Sequence, residues 1–231
     1  MKKVLILAMA AMLMAVFISG CNPEYDNRYE RIETEYFKVQ MHVADEKKGE
    51  NYESFAVIYD LTPLGKQQEI LVFPDYVNGL PVKTIGAGSR RIKSDVVKKV
   101  YLPRTLQNIE GGGLEFIEIV CLSAVGFSYT IIRAQKVIMT IELYERDFVE
   151  HIAVMKNLAY YYNYENSPNR GYYWIDYITG ENLYFPPPSS IREGYTFTGW
   201  YLEPECETEW NGILPASEDE KLELYAGWNE N

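Results

Sequence analysis

Residues 193–201 read EGYTFTGWY. Tyr195, Phe197 and Tyr201 alternate with Thr196, Thr198 and Trp200. Successive side chains of a strand point to opposite faces, so a period of two reads as β-structure. The four aromatics can then serve in two ways. Tyr195, Phe197, Trp200 and Tyr201 could be ligand contacts on an aromatic strip, or they could build the core of a small sheet. Small domains need their large side chains to bury enough surface, which favours the core. Gly199 beside Trp200 reads as a bulge or a close backbone approach. The platform reading stays open for any contiguous pair that is exposed.

The neighbouring sequence agrees. Aromatics crowd residues 157–228 in the runs AYYYNYE, RGYYWIDYITG, LYFPPP and ELYAGW. Alternation is strong and helical spacing is absent, so this segment is expected to be a separate β module. Pro186-Pro187-Pro188 is stiff and extended, and is expected to link strands rather than join one. The chain of 231 residues carries 20 tyrosines, a composition that suits pleated, half-buried surfaces.

PPPSSIREGYTFTGWYLEPECETEW followed by LELYAGW resembles the Listeria–Bacteroides repeat, the B-repeat of internalin-type surface proteins. The matching positions are Pro187, Gly194, Tyr195, Phe197, Gly199, Trp200, Tyr201, Trp210, Leu222, Leu224, Tyr225, Ala226 and Trp228. The resemblance implies a compact β-grasp-like module in a bacterial surface protein. In place of the family's first turn the chain has YYYNYENSPNRG.

Upstream, residues 70–86 (ILVFPDYVNGLPVKTIG) and 97–111 (VKKVYLPRTLQNIEG) echo one another, with Ile85 and Ile109 spaced 24 residues apart (109 − 85). Periods of about 20–29 residues are characteristic of leucine-rich repeats. Phe73-Pro74, Asn78-Gly79, Val82, Ile85-Gly86, Leu102-Pro103, Leu106 and Ile109 resemble the Bacteroides-surface-antigen type of that repeat. Further units are expected at Ile117–Ile132 and Val137–Leu143. Gly111-Gly112-Gly113 stands where the family has Ala-Phe. A short solenoid must be capped, and the strand-like runs Tyr36–Val43 and Phe55–Leu61 are the candidates. Neither Gly86-Ala87-Gly88 nor the glycine triplet is followed by Gly-Lys-Ser/Thr, so both read as turns rather than phosphate loops.

The chain opens MKKVLILAMAAMLMAVFISGCNP. A basic start, an apolar stretch and the motif Ile18-Ser19-Gly20-Cys21 together match a bacterial lipobox. The match implies cleavage before Cys21, a covalent diacylglycerol on its sulfur, and a membrane partner reached through that lipid. Residues 1–20 are the expected signal peptide, 21–35 a lipidated tether, 36–150 a leucine-rich-repeat-like domain and 157–228 the β module.

Net charge is −11, and losing Lys2 and Lys3 with the signal peptide makes it more negative. Such a chain repels phosphate backbones, so no nucleic-acid partner is expected. Two histidines, His42 and His151, offer little for general-base chemistry or zinc. Of the other cysteines, Cys121 sits in the apolar run LEFIEIVCL and reads as inert, and Cys206 reads as a loop residue. Glu203, Glu205, Glu207 and Glu209 lack calcium-loop spacing and read as a solvated edge. The expectation is a mainly β protein without catalytic residues, metal or cofactor. It is expected to be an extracytoplasmic, membrane-anchored lipoprotein at the cell surface, serving interaction or adhesion with a protein or glycan. The alternatives are a structural spacer, or subunit of a surface assembly, and a glycan-binding lipoprotein.

Overall fold

The computed structural model describes residues 29–44, 53–122, 132–139, 156–179, 184–190 and 192–231. They are mainly β. Three strands come first: β1 (Glu30–Glu33), β2 (Phe37–His42) and β3 (Phe55–Leu61), paired antiparallel in that order. Phe37, Val39 and Met41 face inward on β2, alternating with half-buried Lys38, Gln40 and His42. Glu30–Glu33, expected as tether, is instead an edge strand. Ile32 packs on the core while the charged neighbours face outward, which blunts the edge against further pairing.

A parallel solenoid follows, built from β4 (Ile70–Val72), β5 (Tyr76–Val77), β6 (Leu80–Ile85), β7 (Ile92–Lys93), β8 (Lys99–Tyr101), β9 (Asn108–Ile109), β10 (Leu114–Glu115), β11 (Glu118–Val120), β12 (Ile132–Arg133) and β13 (Lys136–Ile138). Among the described residues its turns stack into the ladders β4-β8-β11-β13, β7-β10-β12 and β6-β9. β3 pairs in parallel with β6, so the opening strands cover the end of the stack. Asn78 and Gly79, both with positive φ, form the two-residue turn between β5 and β6.

The inward column Leu71, Val100, Ile119 and Val137 runs in register up the longest ladder, and Ile92, Leu114 and Ile132 run up the second. All of them belong to one buried cluster with Phe73, Val82, Ile85 and Cys121. The outward column of the second ladder is charged. Glu115 there pairs with Arg91 at 3.7 Å and Arg133 at 3.8 Å. The outward column of the longest ladder is different: Tyr101, Val120 and Ile138 are buried. A sheet covered on both faces loses alternation and reads as a continuous apolar run, as VYL and IVCL do.

The covering layer is the C-terminal sheet, made of β14 (Leu158–Tyr161), β15 (Tyr172–Asp176), β16 (Tyr195–Tyr201) and β17 (Leu222–Glu230). Its order is β15-β14-β17-β16, with the central pair β14 and β17 parallel and the flanking pairs antiparallel. Leu158, Tyr160, Trp174 and Leu224 share a second buried cluster with Tyr101, Val120 and Ile138 of the solenoid.

Two glycines of the triplet have a steric cause. A Cβ on Gly111 would lie 2.0 Å from the Gly88 carbonyl oxygen, and one on Gly112 would lie 2.5 Å from the Arg90 backbone. These are points where successive solenoid turns touch, so no side chain fits there. Gly112→Ala is therefore expected to destabilise the chain by about 1–3 kcal/mol in chemical denaturation. Ser89→Ala, exposed on the adjoining turn, should stay within about 0.5 kcal/mol of the parent.

Candidate functional site

The EGYTFTGWY strip forms β16, and a bulge between Phe197 and Gly199 resets its faces. Phe197 and Trp200 consequently meet on one side, with ring centroids 5.1 Å apart. Phe197 also packs 5.7 Å from Trp228, and Trp200 lies 4.8 Å from Tyr160 and 5.5 Å from Tyr173. Tyr195 sits beneath the Arg192 guanidinium, 3.5 Å from its ring centroid. Tyr201 points to the opposite face and lies across Gly227, where a Cβ would come within 2.3 Å of its ring. All four predicted contacts are half-buried, and none forms an exposed contiguous pair.

On that opposite face the register aligns Tyr172, Tyr161, Tyr225 and Tyr201 in a rank across all four strands. Tyr161 is 5.0 Å from Tyr172 and 5.1 Å from Tyr225, stacked on the latter at 14°. The Tyr161 and Tyr225 hydroxyls donate to Glu223 at 3.0 and 3.3 Å. Lys156 stands 3.9 Å from the Tyr172 ring. All four rings are half-buried, and the Tyr172–Tyr161–Tyr225 contacts stabilise the sheet as cross-strand pairs.

Between sheet and solenoid lies a charged cluster that sequence reasoning missed. Lys99 on β8 is 1% exposed and Asp176 on β15 is 0% exposed, with Nζ 2.5 Å from Oδ1. The Tyr101 hydroxyl donates to Asp176 Oδ2 at 2.5 Å and accepts from the Phe185 amide at 3.2 Å. The Tyr177 amide donates to Oδ1 at 2.7 Å. Tyr101 also stacks on Trp174 at 4.8 Å. Burial pushes the Asp176 carboxyl above the usual carboxylate range, while Lys99, Tyr101 and the Tyr177 amide oppose that shift. The available signal was a charge inside an apolar run: Lys99 in KKVYL and Asp176 in YYWIDYI. Such groups are almost never buried unless paired.

Beside this interlock the two parts enclose a cleft of about 430 Å³. Asp75, Tyr76, Arg104 and Thr105 line it from the solenoid, and Tyr162, Asn169, Tyr173 and Pro188 line it from the C-terminal part. Asp75 accepts from the Arg104 amide and Nε, each at 2.7 Å, and forms an ion pair with its Nη2. The guanidinium lies 4.3 Å from the Tyr173 ring centroid, and the Tyr173 hydroxyl donates to the Pro188 carbonyl at 2.6 Å. Burial pushes the Tyr162 phenol up to about 12, so it carries its proton at neutral pH. The loop that departs from the repeat pattern forms one wall. Asn163, Asn166, Asn169 and Arg170 there all adopt positive φ, between 51° and 56°. Asparagine tolerates that region, but arginine is strained in it.

The remaining sequence candidates fall elsewhere. Cys21, Ile18, Ser19 and Gly20 lie outside the described residues, as does His151. His42 stacks between Tyr29 and Phe55 at 4.0 and 4.6 Å. Cys121 is buried in the solenoid core, and Cys206 lies in the loop after β16, beside the Asn163 amide at 3.4 Å. They form no disulfide. Glu203 folds back to accept the Glu207 amide at 2.7 Å and the Thr208 amide, closing that loop. Among the described residues no cluster of His, Cys, Asp or Glu could hold a metal ion.

Residues 166–227 match the family model of the Listeria-Bacteroides repeat domain, a repeat of surface-associated proteins. The match includes β15 and β16 and most of β17, but begins after β14, the strand that joins β15 to β17. No curated protein and no solved structure matches the chain.

Lys99 also lies 3.6 Å from Glu118 Oε2, so losing Asp176 leaves its charge only partly compensated. Asp176→Asn is expected to cost about 3 kcal/mol in denaturant unfolding, because Lys99 stays buried without its nearest partner. Adding Lys99→Met should recover most of that loss, a coupling that a double-mutant cycle measures directly.

Proposed function

We propose that the chain is a non-catalytic lipoprotein of the bacterial cell envelope, held by lipid on Cys21, whose folded part serves as a surface interaction module. The carrying observation is the Listeria-Bacteroides repeat match at 166–227, on a sheet packed directly against the solenoid. The stacked ladders support a leucine-rich-repeat-like reading of the solenoid. The sheet order, with its parallel central pair, supports a β-grasp-like reading of the module.

The lipobox Ile18-Ser19-Gly20-Cys21 supports the anchor. Two or more acyl chains hold a protein on a bilayer where one would be marginal. The first described strand, β1, begins at Glu30, so the stretch from Cys21 can span at most about 30 Å. The structure therefore stands close to the membrane, where a partner meets the solenoid and the module as one composite surface.

A spacer role within a surface assembly is the second reading. It draws on the longest ladder, whose outward column is covered by the module and so is closed to a soluble ligand.

Cys21→Ala is expected to abolish incorporation of labelled fatty acid and to move the protein from the membrane fraction to the soluble one. Retention in the membrane would refute the anchor. Intact-cell surface labelling should mark the parent protein. Cross-linking that captures only other envelope proteins would favour the spacer.

A further inference from the structure

We propose that the cleft between solenoid and module is a binding site for a neutral sugar unit of an oligosaccharide. This deepens the interaction reading above and rests on it.

The size suits a small ligand. About 430 Å³ lies within the range of small-molecule sites, which are mostly apolar with a few placed polar groups. The walls come from both parts of the chain, and such junctions are where ligand sites concentrate.

Charge selects the class of ligand. Arg104 is neutralised by Asp75, and both Asp75 oxygens are engaged by Arg104. A cation therefore finds no uncommitted carboxylate at this pair. An anion meets a compensated guanidinium in a chain of net charge −11. A neutral, polyhydroxylated ligand meets neither obstacle.

The groups left for such a ligand are specific. Tyr162 is only 7% exposed, yet its hydroxyl makes no hydrogen bond among the described residues and its side chain lines the cleft. The hydroxyl reaches solvent within the cleft, where a ligand hydroxyl can take the place of water. The Asn169 side chain also lines the cleft and makes no hydrogen bond among the described residues. Its backbone is held at φ 51° in the loop that replaces the usual turn of the repeat. Tyr76, 60% exposed, offers a flat apolar ring at the cleft. A sugar ring presents an apolar CH face and a rim of hydroxyls, which match the Tyr76 ring and the phenol and amide groups respectively. A peptide is the poorer fit. Peptide recognition uses a sheet edge, an apolar groove or a charged clamp, whereas turns and loops supply much of this wall.

The test uses the full chain in detergent micelles on an array of neutral hexose and N-acetylhexosamine oligosaccharides. One arm carries polysaccharide from the producing cell's own envelope, another carries glycans of other cell surfaces, and a third carries proline-rich and acidic peptides. The expected result is retention of a neutral oligosaccharide, and the first two arms report its source. By calorimetry, Tyr76→Ala should weaken binding about tenfold or more. Tyr162→Phe removes only a hydroxyl and should weaken it about three- to tenfold with an unchanged melting transition. Tyr225→Phe, on the opposite face of the sheet, should bind as the parent does. No retention of any oligosaccharide, parent-like binding by both Tyr76→Ala and Tyr162→Phe, or retention of peptides alone would each overturn the sugar site. Peptide retention would leave the interaction reading standing, whereas failure of surface labelling would remove that reading itself.

Discussion

The interlock of Lys99, Tyr101 and Asp176 is the constraint on which the rest of the structure depends. A charge taken out of water costs several kcal/mol and is tolerated only where a partner and further hydrogen bonds compensate it. Here compensation comes from both sides of the junction. The lysine and the phenol belong to a solenoid strand, and the carboxylate belongs to the C-terminal sheet. Sliding or detaching the sheet would take the carboxylate from the lysine and the phenol together. The apolar pairing of Tyr101 with Trp174 adds area but little direction. The ion pair and its hydrogen bonds therefore set the orientation, while the surrounding aromatics supply most of the burial.

That junction also explains why the solenoid has two different outer surfaces. Its second ladder carries Lys93, Glu115 and Arg133 outward, as a wetted strand should. Its longest ladder carries Tyr101, Val120 and Ile138 outward, a pattern that makes sense only with a lid in place. The cleft is a consequence of the same docking. Where the two sheets diverge, the turns around Asp75 and Arg104 face the loop of Pro168 and Asn169, leaving space that neither part would create alone.

Much of the architecture was legible in the sequence because it rests on local rules. Period-two alternation identified β16, strand-like runs identified β2 and β3, and the spacing of Ile85 and Ile109 identified the ladder they share. Gly199 marked the bulge that brings Phe197 and Trp200 to one face. The core reading of those two side chains follows from that bulge, and Tyr201 goes to the other face. What remained hidden depends on contacts between distant segments. Lys99 and Asp176 lie in runs that each look like ordinary strands, and nothing local says that they meet. The cleft combines residues near 75, 104, 162 and 188, which become neighbours only once the module is seated. β1 was read as tether because an edge strand with charged outward residues resembles a solvated linker in composition.

Native-state hydrogen exchange across a denaturant series tests the central claim most directly, namely that the solenoid and the C-terminal sheet are joined through a buried ion pair into one cooperative unit. The amides of β8, β11, β14 and β15 are expected to converge on a single opening transition with a common free energy and slope. If β14 and β15 instead open at lower denaturant while β8 and β11 stay protected, the module is an independent unit and the account is wrong.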